Sequence, residues 1–227
     1  CTQRRNQNLL YLKLLMLKQK VDSVIANKLQ IKSFKAINNE TWKKRLMQLK
    51  QAKIEVSIAI IGKYIELQDS YKSITESLIH AGSLLECYID IKWIHSETIN
   101  QSNVEQYLSG CNAVIVAPGF GDRGIEGKIH AVQYVRENNI PFLGICLGMQ
   151  IAVIEFFRNV CGYKNAHSTE MNKTTKYPII DLMKTQENIV HKGGTMRLGS
   201  YNCKIKKNSK SYIAYGKECI DERHRHR

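Results

Sequence analysis

The chemistry of this chain centres on Cys146, which stands in Pro141-Phe-Leu-Gly-Ile-Cys-Leu-Gly-Met-Gln150. Apolar residues lead into a small-x-Cys-x-Gly turn, and an apolar run from Ile151 to Ile154 leaves it. That order predicts a strand, a sharp elbow and a helix, with the sulfur pushed beyond the sheet edge. Gly144 and Gly148, two residues either side, remove Cβ atoms that would crowd the turn. At a helix N-terminus the dipole and free amides favour the thiolate, which is the attacking form. The backbone N–H of Leu147 would then face an oxyanion forming on the attacked carbonyl. The competing reading is a small buried hydrophobe, as most lone cysteines are. The rest of the chain has to decide between them.

A second loop carries related chemistry. Ala117-Pro-Gly-Phe-Gly-Asp-Arg-Gly124 follows the β-branched run Ala113 to Val116, and Gly119, Gly121 and Gly124 expose backbone N–H groups. A phosphate cradle is the obvious rival. The chain has no G-x-x-x-x-G-K-[ST], and oxyanion donation is the better fit.

These two loops need a scaffold. Val56 to Gly62 reads as a strand buried on both faces and Cys87 to Ile94 as a second strand; Ala113 to Val116 is a third, and Pro141 to Ile145 feeds the elbow. Between them, Ser70 to Ala81 reads as a helix closed by Gly82, Val104 to Leu108 as a short helix and Gly127 to Asn138 as another. Alternating strands and helices predict an α/β fold, an open, mostly parallel sheet with helices on both faces. Ligands of such sheets bind at the carboxyl ends of the strands, where both loops fall. Residues 1 to 53 read as helices with an irregular middle around Phe34 to Asn39, so a domain boundary is placed just before the first strand.

Composition limits the remaining classes. Of the net charge of +14, a surplus of ten lies between Cys1 and Glu55, with thirteen Lys and Arg against three Asp and Glu. Those lysines are interleaved with Leu, Ile and Met at helical spacing, which predicts amphipathic helices with solvated basic faces. No nucleic-acid reader motif accompanies them, and neither nucleic acid nor membrane is expected as a partner. Seven scattered cysteines without a C-x-x-C pair predict no disulfide framework and no metal site. With no signal-peptide pattern and no long apolar span, the expected location is the cytoplasm.

Five segments carry a family resemblance: Pro118-Gly-Phe-Gly-Asp-Arg-Gly-Ile-Glu-Gly-Lys128, Gly144-Ile-Cys-Leu-Gly-Met-Gln150, Asn165-Ala-His-Ser-Thr-Glu170, Gly193-Gly-Thr-Met-Arg-Leu-Gly199 and Glu222-Arg-His-Arg-His-Arg227. In order and spacing they resemble the glutaminase half of the CTP synthases, among the class I glutamine amidotransferases. Leu15 to Leu29 and Thr41 to Leu49 are similar to the end of that family's amidoligase domain and its linker, while the first nine residues match nothing recognisable. The resemblance implies residues 1–53 as an amidoligase remnant and linker and residues 54–227 as the amidotransferase domain.

What the resemblance implies for chemistry is specific. Cys146 is the nucleophile that forms a glutamyl thioester, and the amides of Gly119 and Leu147 form the oxyanion hole. Gln150, Glu170 and Arg227, with Gly119 and Leu147, hold L-glutamine, Glu170 on its ammonium and Arg227 on its carboxylate. Arg123 matches a position linked to activation by GTP. The whole enzyme uses ATP and Mg to aminate UTP and is expected to be a homo-oligomer, whereas this chain itself is expected to hold no cofactor and no metal.

Three departures qualify the match. Pro118 stands where many relatives have Gly, which removes one N–H but leaves that of Gly119. His167 stands where the family usually has Asn, beside Glu170. The catalytic His-x-Glu pair of the family lies beyond the Arg-His-Arg-His-Arg segment; His95-Ser-Glu97 has its letters but sits upstream, and His80, His130, His224 and His226 offer no general base. No P-loop or Mg-binding carboxylate cluster occurs in residues 1–53. Two readings therefore stand: a central piece of a CTP synthase truncated at both ends, or an inactive amidotransferase-like domain that at most binds glutamine or a partner. Either way this chain alone is expected to have negligible turnover.

Overall fold

The computed structural model describes residues 12–31, 39–181 and 197–226. A helix over residues 12–18 (α1) leads into α2 (Val21–Lys28), and α3 (Glu40–Gln51) follows. Leu46 and Leu49 of α3 pack with Ile79, joined by Leu14 and Trp42. The apolar positions of α3 thus bury one stripe and leave its lysines outside.

The strand β1 (Ile54–Gly62) lies at the heart of the fold, because its β-branched run can be buried on both faces. It is followed by a 3-10 turn (Gln68–Tyr71), α4 (Lys72–Leu84), β2 (Cys87–His95), α5 (Val104–Leu108), β3 (Ala113–Val116), α6 (Ile125–Glu137), β4 (Phe142–Gly144) and α7 (Leu147–Asn159). The sheet order is β2-β1-β3-β4, and every pair is parallel. Alternate side chains of β1 serve different cores. Ile58 and Ile60 pack with Tyr71, Ile74 and Leu78 on one face, and Ala59 and Ile61 with α5, α6 and α7 on the other. The α/β architecture expected from the strand and helix pattern is what forms.

Element boundaries shift by one to three residues from expectation, and one shift has a clear physical cause. The helix α4 runs through Gly82 to Leu84 instead of closing there. A Cβ at Gly82 would stand 2.7 Å from the Cys87 carbonyl oxygen and 2.8 Å from Ile89 Cγ1. That glycine lets the helix press on β2 and does not serve as a cap.

Two short parallel strands, β5 (Ala166–Ser168) and β6 (Tyr177–Ile180), complete the first compact unit, Cys1–Ile180. The second unit, Asp181–Arg227, holds the antiparallel pair β7 (Arg197–Lys204) and β8 (Cys219–His226) with α8 (Lys210–Tyr215) between them. Ser209 caps α8 by accepting from the Tyr212 amide, and the Tyr215 hydroxyl donates to Glu222 at 2.6 Å. Compactness divides the chain after Ile180. Of the expected irregular stretch, residues 34–38 lie outside the described residues.

Candidate active site

The β4 strand ends at Gly144, and the chain turns within two residues into α7. The Ile145 amide still donates to the Val116 carbonyl at 3.1 Å, as though the strand continued. Cys146 then takes φ +54°, ψ −108° as the N-cap of α7, and its side chain is exposed. A non-glycine residue there carries strain of about 1–3 kcal/mol, which the surrounding bonds must hold. Gly148 N–H donates to Ile145, and Met149 and Gln150 donate to the Cys146 carbonyl at 3.0 and 3.2 Å. A Cβ on Gly144 would lie 2.5 Å from the Gly148 carbonyl, and one on Gly148 would collide with the Val116 oxygen. The elbow therefore closes only with glycine on both sides of the cysteine.

Leu147 is buried, and its amide is the first of α7, one of the helix-start donors that have no intrahelical acceptor. The Gly-rich loop comes off β3, the immediate neighbour of β4 in the sheet, where Val116 pairs with Gly144. The loop starts where Ala117 N–H donates to Ile61 at 2.9 Å. A Cβ on Gly119 would sit 3.5 Å from Leu147 Cδ2, so the two expected oxyanion donors are neighbours.

Two buried lysines hold this loop by its carbonyls. Lys63, directly after β1, donates to Phe120 at 2.6 Å and Gly121 at 3.0 Å. Lys128, four residues into α6 and fully buried, donates to Ala117 at 3.4 Å. Burial, aided by the Lys63 charge, lowers the pKa of Lys128 to about 8, against the pull of Cys146. Burial and Arg123 also hold Lys63 below the usual lysine value, while Asp122, Glu97 and Glu170 pull it upward. Sequence reasoning missed both lysines. The available signal was position: Lys128 falls on the apolar stripe formed by Ile125, Ile129 and Val132.

The other expected residues are placed less uniformly. Gln150 is half-buried one turn along α7 from Cys146. Glu170 is exposed in the turn after β5; its amide donates to Ser168 Oγ at 3.2 Å and its charge reaches Lys63. His167 is half-buried, and its Nδ1 accepts from the Ser168 amide at 2.9 Å, which puts it in the turn that carries Glu170. Burial and Arg158 lower its pKa, with Glu126 opposing. Arg123 sits in the glycine loop but pairs with Glu97 at 2.9 Å. Arg227 lies outside the described residues.

His95 ends β2, and β1 and β3 stand between β2 and β4, so about 14 Å separate its strand from that of Cys146. His80 packs edge-on against Trp42. Among the described residues no group of three or more His, Cys, Asp or Glu is placed to hold a metal ion, and no helix is long and apolar enough to cross a membrane.

Comparison with known proteins fits this geometry. Residues 66–227 match the model of the class I glutamine amidotransferase family. The chain is 55% identical over 214 residues to the CTP synthase of Cytophaga hutchinsonii, covering 94% of this chain and 40% of that protein. It is 48% identical over 221 residues to the CTP synthase of Clostridium acetobutylicum, covering 97% of this chain and 41% of that protein. The chain thus spans about 40% of the length of the curated relatives it matches. Among solved structures, the glutaminase domain of Trypanosoma brucei CTPS with bound acivicin is similar at a TM-score of 0.70 and 38% identity, over 76% of this chain and 67% of that one.

Proposed function

The chain belongs to the class I glutamine amidotransferase family, and from that premise we propose that it is the glutaminase part of a CTP synthase. The observation that carries this reading is Cys146 at positive φ on the N-terminus of α7, with Gly119 and Leu147 side by side next to it. In this reading a nucleophile, a helix dipole and the amides of these two neighbouring residues serve one reacting carbonyl.

The proposed reaction has two halves. The Cys146 thiolate attacks the side-chain amide carbon of L-glutamine, a C–S bond forms, and the negative charge on oxygen is taken by the Gly119 and Leu147 amides. The C–N bond then breaks, ammonia leaves with a proton from a general acid, and a thioester remains. Water attacks the thioester through a second oxyanion, which gives glutamate and restores the thiolate. Glu170 recognises the substrate ammonium, Arg227 the carboxylate, and Gln150 lines the approach from α7. The general acid and base role belongs to a His-x-Glu pair of the family type. His95 and His80 do not meet it, being held at the far edge of the sheet and against Trp42.

In the whole enzyme the ammonia aminates UTP with ATP and Mg, in the cytoplasm, within a homo-oligomer; GTP activates it, with Arg123 as a contact once its pairing with Glu97 is exchanged. Residues 1–53 are the amidoligase remnant and linker that joins the two activities. The reading is tested by labelling with acivicin. Expected is a single adduct on the peptide containing Cys146, slowed by L-glutamine and absent in Cys146→Ala. Labelling that ignores glutamine, or that persists in Cys146→Ala, would sink it.

A further inference from the structure

We propose that Lys128 is a positioning residue of the glutaminase site: its ammonium anchors the loop at Ala117 and sets a positive charge behind the oxyanion-binding amides of Gly119 and Leu147. The inference rests on the glutaminase reading above and extends it to a residue that reading does not use.

The first argument is burial without a counter-charge. The Lys128 side chain is fully buried, and among the described residues no carboxylate stands against it. Its nearest like charge is Lys63, which is also buried, so two ammoniums are confined beneath one loop. Such a pair opposes folding unless an anion is present for it to stabilise. The groups that face Lys128 among the described residues are Lys63 at the end of β1, the Ala117 carbonyl after β3 and Cys146 after β4. Only Cys146 carries or generates negative charge.

The second argument is geometric. Lys128 Nζ would be 3.8 Å from a Cβ on Gly119, so it lies against the residue expected to bind the oxyanion. Its one hydrogen bond among the described residues is the 3.4 Å contact to Ala117, which leaves donor capacity unused. Lys63 takes the Phe120 and Gly121 carbonyls on the far side of Gly119. The loop is therefore gripped on both sides of Gly119 by cations, and the ammonium that couples to the nucleophile is the one from α6. Its value of about 8 means the charge is present at neutral pH and lost in mild alkali.

The test uses the protein with its complete native sequence and measures glutamine hydrolysis from pH 6.5 to 10. Lys128→Met keeps the length and removes the charge; Lys128→Arg keeps the charge throughout the range. Expected is a fall in kcat of about tenfold at pH 7 in Lys128→Met, with KM within about twofold. The parent protein is expected to lose kcat as pH rises through about 8. That limb should be missing in both variants, with the neutral rate retained in Lys128→Arg. A Lys128→Met protein with the parent kcat and pH profile overturns the proposal. Should that variant not fold, an alkaline limb unchanged in Lys128→Arg overturns it equally. Cys146→Ala separates the two levels of inference: if it still hydrolyses glutamine, or the parent does not, the glutaminase reading fails and this proposal with it.

Discussion

A lysine shut away from water leaves a signature in stability as well as in rate. The ordinary value of 10.5 for Lys128 falls to about 8 in the folded protein, so between those values the unfolded chain binds more protons. Stability should therefore rise from pH 8 to 10.5, by about 3 kcal/mol in full. Urea unfolding should show that rise in the parent and not in Lys128→Met, which should be the more stable of the two at pH 7. His167 acts with the same sign in the acid range. Its folded value is depressed from 6.5 by burial and Arg158, so the stability it contributes is present above pH 6.5 and lost as pH falls through the folded value. Protonation would also take Nδ1 from the Ser168 amide. His167→Asn should flatten the acid side of the stability profile.

At the level of elements, the elbow is the demanding feature. Strand β4, the positive φ of Cys146 and the first turn of α7 fit together because Gly148 has no Cβ to meet the Val116 oxygen. Gly148→Ala should cost about 3 kcal/mol, seen as a lowered thermal midpoint, and should abolish Cys146 labelling. Cys146→Ala should melt near the parent, since it changes the reacting atom and not the turn. The elements themselves were largely legible. Val56 to Gly62 and Ala113 to Val116 announce buried strands by composition, and both are there, as β1 and β3. Gly82 misled because a glycine near a helix end resembles a cap, whereas only the packed pair of α4 and β2 reveals the close approach.

Over the whole molecule, apolar surface is left in the open. Leu12, Leu15, Met16, Val24, Ile25, Leu29 and Ile31 are exposed on and beside α1 and α2, and Leu143 is exposed on β4. Such surface is what partner contacts or further chain normally cover. The 227-residue chain by itself should bind a hydrophobic dye and scatter light increasingly with concentration. A monodisperse monomer that binds no dye and melts cooperatively would contradict this.

The sequence by itself determined the alternation of strands and helices, the elbow around Cys146 and the glycine loop, because each depends on local periodicity and on residues with special backbone freedom. Strand order was beyond it: the upstream place of His95 already set that residue aside, but letters do not reveal that β1 and β3 stand between its strand and that of Cys146. The roles of Lys63 and Lys128 were beyond it as well. Lysine is read from sequence as a surface residue, and only packing α6 and the end of β1 around one loop buries these two ammoniums against it.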